Sequence, residues 1–398
     1  MKDLKQKIDE VLTRGVENVY PTKTDLEKVM LSGKKLKIYN GIDPTGKLHI
    51  GHGVVLNKMR QLQDLGHEII ILFGDFTAQI GDPTGKDSAR KPLTHQQVTN
   101  NAKHYKEQIG KILDLNKSDV RFVRNEEWTN KLKPVDMLEL ASHFTVARLL
   151  ERDMFQERIK AGRDIHLHEF LYPIFQAYDA VTLDVDMQVG GSDQTFNMLA
   201  GRTLMRKMKD KEKFVLTTKL LADPTGKKMG KSEGNMINLD DQPQEMYGKI
   251  MSWPDGMIMP AFEIVTNVPW LEVKVIEKDF AAGKNPKILK MLLAYKVVEM
   301  YHGSQSAIAA EEHFRQVFEQ GLNPDQIPEF RVKSRNIIEV LLATKLAASK
   351  SEARRLLNEG GIRVDQKVVK DMALEIPAPD ADGVVIQKGK RHFAKIIK

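Results

Sequence analysis

His49 and His52 close the segment YNGIDPTGKLHIGH, which begins at Tyr39 and reads as a strand, a turn and the start of a helix. Residues three apart on a helix share a face. At a helix N-terminus, unsatisfied backbone N–H groups, the dipole and two imidazole donors can converge on a phosphate. Gly51 would let a nucleotide lie close to the backbone. Taken alone, His-x-Gly-His also fits a helix cap with a surface histidine. KKMGKS, residues 227–232, follows the strand-like FVLTTKLL and sits between Gly226 and Gly234. Clustered ammonium groups flanked by glycines suit a loop that closes over a leaving polyphosphate, although a solvated basic loop has the same composition.

Further polar residues group by spacing. In FLYPIFQAYDAV, Tyr172, Gln176 and Asp179 stand at i, i+4 and i+7, so one face of an otherwise apolar helix carries a phenol, an amide and a carboxylate. Such a stripe lines a pocket or touches solvent; the neighbours Phe170, Leu171, Ile174 and Phe175 favour the pocket. VGGSDQ, residues 189–194, follows a strand-like run and opens a helix, an arrangement that an Asp N-cap alone would explain. The pentapeptide DPTGK begins at Asp43, Asp82 and Asp223. Asp at i, Pro at i+1 and Gly at i+3 favour a type I turn. Each copy also ends in a lysine, so the three turns could cradle phosphate beyond strand ends.

These residues need a scaffold. LKIYNGI, HEIIILFGD, DVRFVRN, DVDMQVGG and FVLTTKLL read as strands. Helical patterns alternate with them: an N-terminal amphipathic helix, His52 to about Leu65, about Gln96 to Leu113, and Asp193 to about Met208. Alternation of this kind predicts an α/β fold with a Rossmann-like parallel sheet covered on both faces, over residues 1–240. Residues 241–325, including NPKILKMLLAYKVVEMYHG, carry helical periodicity and predict a helical domain. GLNPDQIPEF reads as a linker. Residues 333–398 predict a small α+β domain, with two short helices, a Gly-Gly stop and a strand.

The chain has 398 residues, 41% of them hydrophobic, enough for two or three cored domains. It has no cysteine, which excludes disulfides, thiolate catalysis and Cys-based zinc sites. No apolar run approaches the roughly 18 residues of a membrane span, and MKDLKQKIDEVLTRG is no secretion signal, so a cytoplasmic protein with no membrane association is expected. The net charge of +7 is localised: residues 333–398 hold 14 Lys and Arg against 8 Asp and Glu, leaving 47 against 46 elsewhere. A basic tail fits contact with a polyanion such as RNA, or a solubilising surface.

Together, HIGH-like His49–His52 and KMSKS-like KKMGKS, in order at opposite ends of a Rossmann-like domain, resemble the signatures of class I aminoacyl-tRNA synthetases. Gly230 stands where the second signature has its central Ser, leaving Lys228, Lys231 and Ser232 in register. The Tyr-x-x-x-Gln-x-x-Asp stripe is similar to the tyrosine pocket of the bacterial tyrosyl-tRNA synthetase family, and the resemblance extends over essentially the whole chain. It implies that Asp179 and Tyr39 bond the substrate phenol, that Tyr172, Gln176 and Asp82 hold its α-ammonium, and that Gln194 meets its carboxylate. It further implies that Gly51, Gly191, Asp193 and Lys231 bind ATP, the ribose falling to Gly191 and Asp193. His49, His52, Lys86, Arg90, Lys228, Lys231 and Ser232 would act in catalysis.

ATP as its Mg²⁺ complex, L-tyrosine and tRNA(Tyr) are the implied partners, in a homodimer without a protein-bound structural metal. The last domain is similar to the S-four RNA-binding type, with Arg335, Lys350, Arg354, Arg355 and Arg363 as phosphate contacts, while the helical domain would recognise the anticodon. Many family members continue with Trp-Gly where this chain has Thr195-Phe196, a departure at the pocket wall. The nearest alternative is a tryptophanyl-tRNA synthetase, which shares both signatures but normally lacks the stripe and the basic tail. From another class, a synthetase-derived RNA-binding protein would usually have lost signature residues.

Overall fold

The structure, a computed structural model, describes residues 2–84, 93–222, 236–318, 327–380, 383–389 and 392–398. Lys86, Arg90, Lys227, Lys228, Gly230, Lys231 and Ser232 lie outside them, as does most of GLNPDQIPEF. The described chain divides into two compact units, one of residues 1–241 and 253–301, the other of residues 242–252 and 302–398.

The first unit is built on a six-stranded sheet of β1 (Val16–Tyr20), β2 (Lys37–Ile42), β3 (Glu68–Phe73), β4 (Val120–Arg124), β5 (Met187–Gly191) and β6 (Phe214–Thr218). The order is β1-β6-β5-β2-β3-β4, and all neighbours are parallel except β1 and β6. The five strands expected from sequence form the parallel part. Strands such as EIIILF are buried almost throughout because helices cover both faces. The antiparallel edge β1 was not expected; its sequence VENVY is interrupted by Glu17 and Asn18, both exposed, as suits an edge with one neighbour.

Other boundaries also shift. The first-motif helix spans Ile50–Asp64, beginning before His52. The single helix expected around 96–113 is two, His95–Ala102 and Tyr105–Gly110, broken at Lys103-His104. Residues 192–194 form one 3-10 turn, and the α-helix proper is Thr195–Lys209.

The helix Leu167–Leu183, which carries the polar stripe, packs its apolar face on the sheet through Ile174, Ala177, Ala180 and Val181, against Tyr39, Ile70 and Leu72. Its N-terminus is fixed by Glu169, which accepts from His166 N at 2.9 Å and pairs with buried Arg158 at 2.6 Å. Helices Ile258–Ile264, Trp270–Ala281 and Pro286–His302 follow. The first joins the unit through Arg14, whose buried guanidinium donates to the carbonyls of Phe262, Glu263, Thr266 and Val268.

In the second unit, the helices Pro243–Met251 and Ser304–Phe318 meet through Tyr247 and Phe314, 5.4 Å between ring centroids. Its C-terminal part has the expected helix pair, Ile337–Ala343 and Lys350–Asn358, packed on a five-stranded sheet. That sheet comprises β7 (Glu329–Phe330), β8 (Ile362–Val364), β9 (Lys367–Val369), β10 (Val384–Lys388) and β11 (His392–Ile396), in the order β7-β11-β10-β8-β9. The end of the expected linker is thus a strand, β7, which pairs in parallel with β11.

Candidate active site

A cavity of about 460 Å³ opens beyond the C-terminal ends of β2, β5 and β6. β2 is flanked by β3 on one side and β5 on the other, so chain connections run in opposite directions from this point. Open α/β sheets bind ligands at such a switch. Every described residue expected to bind amino acid or nucleotide lines this cavity: Tyr39, Gly51, Asp82, Tyr172, Gln176, Asp179, Gly191, Asp193 and Gln194. His49 and His52 line it too.

The first motif is assembled by capping. His49 is the N-cap residue; its Nδ1 accepts from Gly51 N at 3.2 Å, while His52 Nδ1 accepts from His49 N at 3.1 Å. Accepting at Nδ1 places the proton of each neutral ring on Nε2, which makes Nε2–H the donor side of both. The expectation of unsatisfied backbone N–H groups here is corrected: Ile50 N donates to Ile237 O, and His52 and Gly53 N donate to His49 O. A ligand therefore meets imidazoles and the dipole. Gly51 also has a nearer reason than a nucleotide, since a Cβ there would lie 3.0 Å from the His49 ring that folds back over it. The turn ahead of the motif is pinned from the side, with Asn101 donating to Pro44 O at 2.8 Å and Tyr105 donating to Gly46 O. Lys47, the lysine of the first DPTGK, pairs with Asp240 at 2.9 Å.

The stripe helix supplies the deep end. Asp179 is buried and accepts from Trp128 Nε1 at 2.9 Å and from Asn125 Nδ2 at 3.3 Å. Burial pushes its carboxyl up to about 8, against those two hydrogen bonds, which favour the carboxylate. Tyr39, fully buried on β2, donates to Gln176 O over a long 3.5 Å. Burial, and after it the nearby Asp179 charge, raises its phenol well above the usual range. Tyr172 donates to Asp43 Oδ2 at 2.9 Å, and Asp43 Oδ1 accepts from Thr77 Oγ1 at 2.7 Å.

On the adjacent wall, Gln194 Nε2 donates to Asp82 Oδ2 at 2.8 Å, and Asn197 donates to Gln194 Oε1 at 2.9 Å. Asp82 Oδ1 accepts from Thr84 N at 3.0 Å, closing the second DPTG turn through its own side chain. Arg152 donates to Thr84 Oγ1 at 2.7 Å and stands 3.9 Å from Asp82. At the Thr195-Phe196 departure, the Phe196 ring lies beneath the Arg152 guanidinium, 5.1 Å from its centroid. A cation on an aromatic face is what this wall uses.

Sequence reasoning missed Asp43, Thr77, Asn125, Trp128 and Arg152 as site residues. Only Asp43 carried a signal, as the first residue of a repeated turn. The others come from segments far away in sequence that the sheet brings together. Among the described residues, no group of three or more His, Cys, Asp or Glu side chains could hold a metal ion, and no helix is long and apolar enough to cross a membrane.

The sequence model of the family described as "tRNA synthetases class I (W and Y)" matches residues 31–319. The chain belongs to this family. A second family model, "Tyrosine--tRNA ligase SYY-like C-terminal domain", matches residues 318–396. Among curated relatives of this class I synthetase, the tyrosine--tRNA ligase of Moorella thermoacetica is 43% identical over 394 residues, covering 97% of this chain and 94% of the relative. That of Haemophilus ducreyi is 42% identical over 388 residues, covering 97% and 96%. Solved structures share the fold. A C-terminally truncated mitochondrial tyrosyl-tRNA synthetase of Aspergillus nidulans superposes with a TM-score of 0.66 at 23% identity, covering 79% of this chain and 98% of that one. The tyrosyl-tRNA synthetase of Archaeoglobus fulgidus, complexed with L-tyrosine, gives 0.62 at 23% identity, covering 78% and 100%.

Proposed function

We propose that this synthetase is a tyrosine–tRNA ligase: it condenses L-tyrosine with ATP to tyrosyl-adenylate and pyrophosphate, then transfers the tyrosyl group to the 3′-terminal adenosine of tRNA(Tyr). The observation that carries the choice of amino acid is the buried carboxylate of Asp179 beside the buried phenol of Tyr39 at the closed end of the cavity. An apolar ring entering this pocket would offer Asp179 no further hydrogen bond and leave Tyr39 with only its long contact to Gln176 O, and a buried polar group left short of partners costs about 1–3 kcal/mol. A hydroxyl would satisfy them. Tyr172, Gln176 and Asp82 take the α-ammonium in this reading. Asp43 orients the first of these through its phenol, and Arg152 with Thr84 orients Asp82. Gln194 meets the carboxylate, and Gly191 with Asp193 meets the ribose.

In the first step, a carboxylate oxygen of tyrosine forms a bond to the α-phosphorus as the bond to the β-phosphate oxygen breaks. The nucleophile is already ionised and needs no general base. The work left to the protein is alignment and stabilisation of charge developing on phosphate oxygens. In this reading His49 and His52 donate Nε2–H to those oxygens, supported by the hydrogen bonds that occupy their Nδ1 atoms. Lys86, Arg90, Lys228 and Lys231, with Ser232 as a further donor, are assigned to the pyrophosphate, which enters as part of the magnesium complex of ATP.

Three further assignments complete the reading. Residues 241–325 recognise the anticodon, and residues 333–398 form an S-four-type RNA-binding domain, supported by the exposure of Arg335, Lys350, Arg354, Arg355 and Arg363. The enzyme is a cytoplasmic homodimer. Large apolar side chains left exposed on the helices Pro134–Ser142, Val146–Leu150 and Leu167–Leu183, among them Val135, Leu138, Val146 and Leu167, support a subunit contact there.

The decisive experiment is ATP–pyrophosphate exchange with tyrosine, phenylalanine and tryptophan in parallel. Exchange dependent on tyrosine alone is expected; preference for tryptophan would move the chain to the other branch of its family.

A further inference from the structure

A buried lysine stands behind the recognition pocket. Lys213, the residue before β6, is fully buried, and its ammonium donates to Gln188 Oε1. Gln188 is the partner of Tyr39 across the parallel β2–β5 ladder and of Val215 across β5–β6. Lys213 is two residues before Val215, so Lys213, Gln188 and Tyr39 lie in line on one face of the sheet. The Lys213 ammonium also sits 5.5 Å from the centre of the Tyr39 ring. Space for it depends on residue 201 being glycine, since a Cβ there would lie 2.6 Å from Nζ. An apolar side chain would fill this place without the desolvation cost of a charge. A buried amine at this place therefore calls for a reason other than packing.

We propose that Lys213 is a positioning residue that sets the direction of hydrogen bonding at the substrate phenol, and thereby the choice of tyrosine over phenylalanine. The inference rests on the tyrosine reading above. Burial brings the Lys213 ammonium down to about 7, against the nearby Asp179 charge, which favours its protonated form; while protonated it can only donate. Gln188 must therefore turn its amide oxygen to Lys213 and its NH₂ toward the Tyr39 phenol, an interaction that favours the phenolate side of that group. Tyr39 Oη, approached by a donor, directs its own proton to an acceptor. Within the described chain that acceptor is Gln176 O at 3.5 Å, beyond the usual range for O–H···O. A substrate phenol oxygen is a better one. Asp179 already accepts from Trp128 and Asn125 and, as a carboxylate, accepts the substrate proton as well. The group bound between Tyr39 and Asp179 must then accept one hydrogen bond and donate another. A hydroxyl does both and a phenyl C–H neither.

Lys213→Met keeps the length of the side chain and removes the donor. In ATP–pyrophosphate exchange, kcat/KM for tyrosine is expected to fall by about 10- to 100-fold, while that for phenylalanine changes by less than about threefold. In a Tyr39→Phe background the same substitution should leave the tyrosine-to-phenylalanine ratio where Tyr39→Phe alone put it. Equal losses for both amino acids, as a purely structural role would give, or an unchanged ratio, overturn the inference. Should Lys213→Met fail to fold, Gln188→Glu keeps a partner for the ammonium but, when ionised, cannot donate to Tyr39. A narrowed ratio then supports the inference and an unchanged ratio overturns it. If the unsubstituted chain shows no tyrosine-dependent exchange, the tyrosine reading fails and this inference with it. Normal exchange with unaltered selectivity in the variants sinks this inference alone.

Discussion

Asp179 sits where water is absent and its charged form is disfavoured. Its two neutral donors, Trp128 and Asn125, offset only part of the desolvation, which is why its carboxyl titrates as high as about 8. In the proposed reading a substrate hydroxyl would add a third hydrogen bond and so favour the carboxylate. Asp179→Asn keeps the shape of the group but replaces the charged acceptor with an amide. A hydrogen bond to a charged group is worth about 1.5–3 kcal/mol. The substitution should therefore lower kcat/KM for tyrosine in pyrophosphate exchange by roughly 10- to 100-fold, with little change for phenylalanine; parallel titration of both amino acids checks this.

In the proposed mechanism Lys231 acts at the other end of the reaction. If it meets charge that develops only as pyrophosphate leaves, Lys231→Ala should reduce the exchange rate by about 10²–10³, the loss typical of one such donor. Tyrosine affinity, measured by equilibrium dialysis, should change by less than about threefold. Unchanged exchange kinetics would remove Lys231 from the mechanism.

At the scale of an element, the helix Leu167–Leu183 is held in register by its N-terminus. Glu169 accepts from the backbone of His166 and takes both Arg158 nitrogens, at 2.6 and 2.9 Å, with both side chains only 2% exposed. Burial alone would push the Glu169 carboxyl up; the Arg158 and His166 hydrogen bonds outweigh it and bring it below the ordinary value of 4.5. A depressed folded value means that the unfolded chain binds more protons in that window, so stability rises with pH through it. The contribution is complete above the ordinary value of 4.5 and is lost as pH falls through the lower folded value. Glu169→Gln leaves Arg158 buried without its partner and should cost about 3 kcal/mol at pH 7. Urea unfolding should show that difference shrinking below pH 4.5. Because the same helix presents Tyr172, Gln176 and Asp179, KM for tyrosine should rise in this variant as well.

Over the whole molecule, charge is unevenly distributed. The chain before residue 333 is almost neutral, and the basic surplus lies in the last 66 residues. There Arg335, Lys350 and Arg355 form exposed ion pairs with Glu375, Glu339 and Glu359. Pairs of this kind contribute about 0–1 kcal/mol and exchange readily for phosphate. Arg354 and Arg363 are exposed, one on the helix Lys350–Asn358 and one on β8. Replacing both by Ala should weaken tRNA binding and reduce the slope of log affinity against log salt by about two, with no effect on pyrophosphate exchange. An unchanged slope would place the RNA contact elsewhere.

Much of this was legible in the chain itself, because the signals were local. Five parallel strands declared themselves as apolar runs, and the stripe Tyr172, Gln176 and Asp179 as a helical spacing. The two basic or histidine-bearing motifs followed from what phosphate requires of nearby residue types. Tertiary structure decided what local pattern does not encode. Asn125 and Trp128 reach Asp179 across more than 50 residues of sequence because β4 ends near the stripe helix. Lys213 meets Gln188 only through the pairing of β5 with β6. β1, whose apolar run is broken by Glu17 and Asn18, forms because β6 offers an edge. His49 and His52, expected to leave helix N–H groups for a ligand, instead use them as caps. Residue types and short spacings thus determined which chemistry the protein could perform. The parallel sheet, by setting distant strand ends side by side, decided which partners hold each group in place.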